Sequence, residues 1–171
     1  PLMTPKNTSR FGTAFCESID AGAGVTTGIS AADRARTIQV AMDPATRSTD
    51  LARPGHVFPL RAREGGVLVR AGQTEAAVDL ARMAGLPPGG VICEVMSADG
   101  TMARVPELEE FCRLHGIKMV SVAEVIRYRL RHERFARRIS EDVLETPHGK
   151  FRSVVYSTPI DSALHLALVR G

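Results

Sequence analysis

Two residues combine a side chain that suits proton transfer with a distinctive local sequence, His56 and Glu94. His56 lies in the segment 53–59 (RPGHVFP), where two prolines and a glycine stiffen a polar loop around an imidazole, the side chain most often used for proton transfer. Glu94 interrupts the apolar segment 90–96 (GVICEVM), in which a buried carboxylate costs free energy unless it is paired or hydrogen-bonded. We therefore predict acid–base roles for both residues, against the alternatives of an ordinary loop histidine and a structural salt bridge.

Two places where a helix is expected to begin have the chemistry of an anion site. Residues 24–34 (GVTTGISAADR) bring small and hydroxyl side chains, including Thr27, to a predicted helix start, where backbone N–H groups and the helix dipole favour phosphate. The segment 70–74 (RAGQT) brings a guanidinium, a glycine and a hydroxyl to a predicted strand-to-helix turn. A capped helix with a glycine-rich entry is the alternative for the first segment, and spacing alone favours it. Together the two segments indicate a phosphorylated small molecule.

The arginines of residues 127–138 raise the question of nucleic-acid binding. They do not share one face of a helix, and Glu133 interrupts them, so we favour a solvated helix between domains over a phosphate-binding surface. The net charge of +3, from 22 basic and 19 acidic residues, is too balanced for a polyanion partner. We expect no nucleic-acid partner.

The composition limits the architecture and the cellular location. A chain of 171 residues with 44% hydrophobic residues can bury one sizeable core. No apolar run approaches the roughly 18 residues of a membrane helix, and no signal pattern is present, so we expect no membrane partner. The three cysteines form no CxxC pair, which favours a reducing compartment and no zinc site. A cytoplasmic protein fits these features.

Strands and helices are predicted to alternate, as in an α/β or α+β sandwich. Helices are expected after the N-caps Ser30 and Thr74 and from Pro106 onward, with Gly85 and Gly116 as C-terminal caps. The third helix is expected to turn three side chains inward, those of Leu108, Phe111 and Cys112. Strands are predicted over residues 13–18, 67–70, 90–96 and 117–120, with a loop over residues 43–66.

The last part of the chain changes character. A capping box at Ser121 opens a helix that is predicted to run through Arg138. Residues 141–169 then read as strands, with turns at residues 147–149 and 157–159. These strands indicate the start of a second domain.

Five segments stand in a distinctive order and spacing, namely 24–34, 53–62 (RPGHVFPLRA), 65–70 (GGVLVR), 74–80 (TEAAVDL) and 90–94 (GVICE). In this order they resemble the 3,4-dihydroxy-2-butanone 4-phosphate synthase family of riboflavin biosynthesis, over residues 1–129. Residues 144–152 (LETPHGKFR) and 165–171 (HLALVRG) resemble the opening of the GTP cyclohydrolase II domain that follows this synthase in bifunctional proteins. Residues 130–140 are then the end of a linker helix, and residues 141–171 begin the second domain.

The resemblance implies a compact three-layer sandwich with a mixed sheet, and an active site formed at a homodimer interface. Members of the family are lyases that convert D-ribulose 5-phosphate to formate and 3,4-dihydroxy-2-butanone 4-phosphate with Mg²⁺ or Mn²⁺. The steps are enolisation, dehydration, a shift of the carbon skeleton and loss of a one-carbon unit. By the same resemblance, His56 and Glu94 are the acid–base residues. The sugar phosphate would be bound by Thr27, Arg70, Ala71, Gly72, Gln73 and Thr74.

Two departures from the family pattern lead to a second hypothesis. Gln73 stands where the family has a histidine metal ligand, and its amide offers only a neutral oxygen, so we expect weaker metal binding. The family's acidic Arg-Glu-x-Glu-Gly-Asp loop and the zinc cysteines of the cyclohydrolase are not found in the sequence. We therefore expect a chain truncated at both ends, without cyclohydrolase activity. The alternative function is a non-catalytic remnant that acts as a dimerisation partner of an intact synthase.

Overall fold

The computed structural model describes all 171 residues, which divide into two compact units. The first unit contains residues 1–62 and 72–118, and the second contains residues 63–71 and 119–171. The predicted mixed α/β class is confirmed. The expected mixed sheet is not formed, because every strand pairing in both sheets is antiparallel. None of the helices has the length and apolar character that crossing a bilayer requires.

A pair of strands and one helix form the core of the first unit. Strand β1 (Ile19–Ala21) pairs antiparallel with β2 (Leu51–Val57), and helix α1 (Ala31–Met42) packs against both strands. The backbone N–H of Ala21 donates a hydrogen bond to Thr37 Oγ1 at 2.9 Å, and Thr37 is completely buried. A buried hydroxyl needs such a partner, so this bond fixes the helix on the strand.

The pairing of β1 with β2 contains a wide bulge. The adjacent residues Ile19 and Asp20 pair with residues five apart in β2, so residues 53–56 have no partner in the ladder. A Cβ at Gly55 would lie 2.0 Å from the carbonyl carbon of Ile19, so only glycine allows this approach. Bulges often redirect a side chain beside a functional site, and this one carries His56.

The sequence had predicted a loop where β2 lies. Pro54 and Gly55 interrupt the strand pattern, and proline cannot donate to a β-ladder. The bulge accommodates both residues, since its backbone does not pair with β1. The strand is therefore formed on either side of a segment that looks like a break.

The helix boundaries agree with most of the capping signals. Ser30 is the N-cap of α1, as predicted, and accepts the Asp33 N–H at 3.1 Å. Helix α2 (Gln73–Met83) begins after Gly72 rather than Thr74, because the extended backbone at Gly72 already leads into the first turn. Thr74 is buried in that first turn instead of capping it.

Helix α3 (Val105–His115) begins with proline in its first turn and ends at Gly116, whose φ of +63° is the left-handed cap that was predicted. It buries no residue completely. Phe111 is 36% exposed, so the expected inward orientation of this side chain is wrong. The other two residues predicted to face inward, Leu108 and Cys112, are half-buried.

Four short predicted strands are not formed as continuous strands. Residues 67–70 instead follow two glycines with positive φ into a 3₁₀ helix over Gly66–Leu68. Segments 13–18 and 90–96 make only isolated bridges, and 117–120 makes none. An apolar run becomes a strand only where a neighbouring strand satisfies its backbone, and these segments lack that neighbour.

The second unit is built on a three-stranded antiparallel sheet, which confirms the strands predicted over residues 141–169. Its strands are β3 (Arg137–Thr146), β4 (Gly149–Ser157) and β5 (Leu164–Val169), in that order across the sheet. Residues 147–148 form the tight turn between the first two strands, and residues 158–163 connect the last two. Val154 lies in the middle of the sheet and is 3% exposed.

Helix α4 (Val122–His132) begins with the predicted capping box at Ser121 but ends six residues before Arg138. Arg137 and Arg138 instead pair with β4, because the ladder of β3 extends back to them. The arginine-rich stretch is therefore divided among a helix, a loop and a strand, and does not form a continuous basic helix. Its most buried member, Arg129, binds Glu133 through two nitrogens at 2.8 Å.

Candidate active site

His56 lies in the bulge of β2, and its ring contacts a carboxylate on β1. Asp20 Oδ2 lies 2.8 Å from His56 Nδ1, and Asp20 Oδ1 accepts the His56 backbone N–H at 3.0 Å. The Asp20 side chain is 13% exposed and the His56 side chain is 42% exposed. The backbone N–H of His56, followed by its ring, holds the pKa of Asp20 below its usual value despite partial burial. A partly open histidine held by an ionised carboxylate is suited to acid–base chemistry.

The loop before α1 packs directly against this pair. A Cβ on Gly28 would lie 2.3 Å from Asp20 Oδ2 and 2.6 Å from His56 Nδ1, and Gly28 has a φ of +86°. Arg34 donates to the His56 carbonyl from Nη1 and to the Ile29 carbonyl from Nε, both at 3.0 Å. The position of His56 is therefore determined by β1, by the loop and by α1 together.

A second carboxylate, Asp33, holds the loop itself. Asp33 Oδ1 accepts the Thr26 N–H at 3.0 Å, and Oδ2 accepts the Thr26 hydroxyl at 2.7 Å and the Gly28 N–H at 3.0 Å. The residue is 5% exposed. These hydrogen bonds, with the Thr26 N–H first, lower the pKa of Asp33 from 3.8 to about 2, although burial acts in the opposite direction.

Two backbone N–H groups of this loop, those of Thr26 and Gly28, are therefore already bound to the protein's own carboxylate. The capped helix with a glycine-rich entry, the alternative interpretation, is what the structure contains. Thr27 takes no part in the contacts of Asp33 and is exposed. It remains a predicted substrate contact.

The five residues of the second predicted anion site are spread over the two units. Arg70 and Ala71 end the segment 63–71 of the second unit, whereas Gly72, Gln73 and Thr74 begin α2 in the first unit. Gln73 is exposed and Thr74 is 8% exposed. The first N–H groups of a helix lack intrahelical acceptors, so the start of α2 has the polarity that an anion prefers.

Glu94 differs from its prediction. The sequence predicted a buried strand carboxylate, but Glu94 is exposed, and residues 90–96 do not form a strand. The chain closes a local turn immediately afterwards, with hydrogen bonds from Ser97 N–H to the Thr101 carbonyl and from Ala103 N–H to the Val95 carbonyl. The alternative of a structural salt bridge is not seen either. No hydrogen bond or ion pair joins Glu94 or Gln73 to His56.

The side chains of this chain do not make up a metal site by themselves. No group of three or more histidine, cysteine, aspartate or glutamate residues is arranged to hold a metal ion. Gln73 could supply one neutral amide oxygen, a ligand that Mg²⁺ accepts but does not favour over a carboxylate. The donor set therefore does not fit a complete metal centre.

Sequence reasoning found His56 but missed its partner, Asp20, and the role of Asp33 in the loop. Asp20 alternates with Ile19 and Ala21, a pattern that places its side chain on the opposite face of a strand. This periodicity was the available signal. The contact itself joins residues 36 positions apart, and no local pattern specifies it.

Comparisons with known proteins identify the same family that the sequence motifs resemble. Residues 1–128 match the 3,4-dihydroxy-2-butanone 4-phosphate synthase family. The whole chain aligns at 57% identity with the riboflavin biosynthesis protein RibBA of Synechocystis sp. and covers 31% of that protein. It aligns at 56% identity with the 3,4-dihydroxy-2-butanone 4-phosphate synthase of Pseudomonas aeruginosa, again over its whole length, and covers 47% of it. The chain thus spans about a third to a half of these curated relatives.

Comparison with solved structures also shows similarity to this synthase. RibBX from A. baumannii, a two-domain 3,4-dihydroxy-2-butanone 4-phosphate synthase, matches with a TM-score of 0.88 and 46% identity over 100% of this chain and 50% of that one. A synthase in complex with two magnesium ions matches with a TM-score of 0.69 and 36% identity, over 77% of this chain and 67% of that one. The fold and these matches define a mixed α/β protein related to enzymes of riboflavin biosynthesis. The chain belongs to the 3,4-dihydroxy-2-butanone 4-phosphate synthase family.

The close packing of Gly28 predicts a specific effect of adding a methyl group. In Gly28→Ala the new Cβ would separate Asp20 from His56 in addition to straining a positive φ. Gly100→Ala is the matched control, because Gly100 has the same φ of +86° and no atom within 4 Å of a Cβ. We expect urea unfolding to show that Gly28→Ala loses about 2 kcal/mol more than the control. Equal losses would mean that only backbone strain matters.

The low pKa of Asp33 predicts a pH-dependent contribution to stability. Because the folded-state pKa, about 2, lies below the ordinary 3.8, the carboxylate stabilises the folded protein above about pH 4 and loses this effect as the pH falls towards 2. Asp33→Asn should therefore be less stable than the wild type above pH 4, by a margin that narrows below it. Urea midpoints measured across this range test the prediction, and a constant margin would contradict it.

Proposed function

We propose that the full-length protein converts D-ribulose 5-phosphate to 3,4-dihydroxy-2-butanone 4-phosphate and formate. The observation that carries the proposal is the His56 ring, held by Asp20 and partly open to solvent, in a chain of this family. The alternative of a non-catalytic remnant is not favoured, because the identity to proteins named as the synthase extends over the whole chain.

The chemistry requires groups that move protons rather than electrons. A five-carbon sugar phosphate becomes a four-carbon phosphate and formate, with all atoms conserved and no external oxidant or reductant. Enolisation removes a proton from a carbon beside the carbonyl group, which needs a positioned base and an acid. We assign the base to His56 Nε2, the ring nitrogen that Asp20 does not contact. Glu94 is the second proposed acid–base residue.

The phosphate of the substrate is assigned to the start of α2. Gly72, Gln73 and Thr74 supply helix N–H groups and a hydroxyl, which are usual partners of a phosphate. Arg70 and Ala71, which precede them in the sequence, are proposed as further contacts because a guanidinium binds phosphate well. Thr27, exposed on the loop before α1 in the same unit as α2, is proposed as an additional contact.

A divalent cation is part of the proposal because a related synthase structure contains two magnesium ions. Either Mg²⁺ or Mn²⁺ would polarise neighbouring oxygens of the substrate when bound. Gln73 would contribute a single weak ligand from this chain, and we derive no step of the reaction through the metal.

We further propose that the protein acts as a cytoplasmic homodimer. The segment around Glu94 supports this, since Val91 is 72% exposed and Met96 is 66% exposed. Large exposed apolar side chains are typical of a surface that a second subunit covers.

The direct test measures formate release from D-ribulose 5-phosphate by the full-length protein with Mg²⁺ or Mn²⁺, and with EDTA as the metal-free control. We expect metal-dependent release, lowered by about 10²-fold or more in His56→Asn and Glu94→Gln with substrate binding largely intact. His115→Asn and Glu109→Gln, both exposed on α3, are the matched controls and should retain activity. Absence of release would refute the function, and full activity of the two site variants would show that those residues are structural.

The weak ligand at position 73 predicts a gain of function. Gln73→His would replace a neutral amide oxygen with an imidazole, the metal ligand that the family pattern has at this position. We expect half-maximal formate release at about tenfold lower metal concentration and a higher maximal rate. Gln73→Asn keeps the amide and serves as the control. If the histidine and wild-type proteins have the same metal dependence and rate, position 73 does not bind the metal.

A further inference from the structure

We propose that Asp20 is a positioning residue, which holds the His56 ring with its proton on Nδ1 and leaves Nε2 free to accept a proton from the substrate. The inference rests on the proposed function for its catalytic consequence. The position of the ring proton can be measured independently of any activity.

The first support is that Asp20 binds His56 at two points. One carboxylate oxygen accepts the backbone N–H at 3.0 Å, and the other lies 2.8 Å from Nδ1. A carboxylate that only stabilised the bulge would need the backbone contact alone. The second contact fixes the orientation of the ring, as a carboxylate hydrogen-bonded to an acid–base histidine does.

The second support is the charge state of the pair. The hydrogen bonds from His56 keep the pKa of Asp20 low, so the carboxylate is ionised near neutral pH and acts only as an acceptor. A neutral imidazole facing an acceptor through Nδ1 must carry its proton there. The unprotonated nitrogen is then Nε2, on a side chain that is 42% exposed.

The third support is that the surroundings leave the pair little freedom. A Cβ at Gly28 would collide with both Asp20 Oδ2 and His56 Nδ1, and the Arg34 guanidinium donates to the His56 carbonyl. Arg34 is the charged group that also acts on Asp20, and its positive charge favours the ionised carboxylate. Glu17 pairs with Arg53 at the far end of the bulge, at 3.8 Å.

Asp20→Asn separates positioning from a structural role. Its amide oxygen can still accept the His56 backbone N–H, so the bulge keeps its hydrogen bond. Its NH₂ group would face Nδ1 as a donor, which favours the opposite tautomer, with the proton on Nε2. Asp20→Glu restores a carboxylate acceptor. The control is Asp99→Asn, since Asp99 also accepts a backbone N–H and a hydroxyl, from Thr101, but lies in a remote turn.

The experiment combines imidazole ¹⁵N NMR with kinetics, both on the full-length protein. With ¹⁵N-histidine labelling above the titration of the ring, the His56 signals are assigned by their loss in His56→Asn. We expect the proton on Nδ1 in the wild type and on Nε2 in Asp20→Asn. We also expect kcat for formate release to fall about 10- to 100-fold in Asp20→Asn with KM nearly unchanged, and to recover at least partly in Asp20→Glu.

Each result has a defined meaning. A wild-type ring protonated on Nε2, or an Asp20→Asn protein with unchanged kcat, would overturn the proposal. If Asp20→Asn does not fold by circular dichroism, the wild-type spectrum and the Asp20→Glu protein decide. A wild-type protein that releases no formate but has its proton on Nδ1 would refute the proposed function and leave the assignment of the ring proton intact.

Discussion

The irregular backbone around the site depends on two largely buried carboxylates, Asp20 and Asp33. A buried carboxylate is costly unless hydrogen-bonded, and backbone N–H groups outside regular structure have the same requirement. Each aspartate accepts hydrogen bonds from such backbone N–H groups, so the carboxylate and the backbone satisfy each other. Asp20 does this at the bulge of β2, and Asp33 does it in the loop before α1. The two irregular segments meet at Gly28, whose N–H binds Asp33 and whose Cα lies against the pair of Asp20 and His56.

This arrangement has a consequence for where a substrate anion binds. The loop before α1 has the small residues and the helix dipole of a phosphate site, but Asp33 supplies the negative charge from within the protein. A second anion there would meet like charge. At the start of α2, Gln73 is exposed, while Glu75 is buried in the first turn. The bound Asp33 carboxylate therefore makes the loop before α1 an unfavourable place for a phosphate.

Much of the fold follows from local signals, and most of the errors concern long-range pairing. The caps at Ser30, Ser121 and Gly116 and the turn at residues 147–148 depend on a few neighbouring residues, and the sequence predicted them. Strand β2 forms because a distant segment pairs with it, and residues 90–96 form no strand because no segment does. Sequence periodicity carries no information about such pairing. The site shows the same division. His56 was found by its type and its rigid segment, whereas Asp20 reaches it across 36 positions.

The fold constrains the residues proposed for proton transfer more strongly than the residue proposed to bind the metal. Asp20, Gly28 and His56 are mutually constrained by contacts, so a change at any of them disturbs backbone as well as chemistry. Gln73 is exposed at the first position of α2 and takes part in none of these contacts. Packing therefore does not determine which residue stands at position 73, and a ligand there can be exchanged without rebuilding the site. Under the proposed function, we therefore expect a change at residue 73 to affect metal binding without disturbing the backbone, and a change at residue 20 to affect the His56 ring proton.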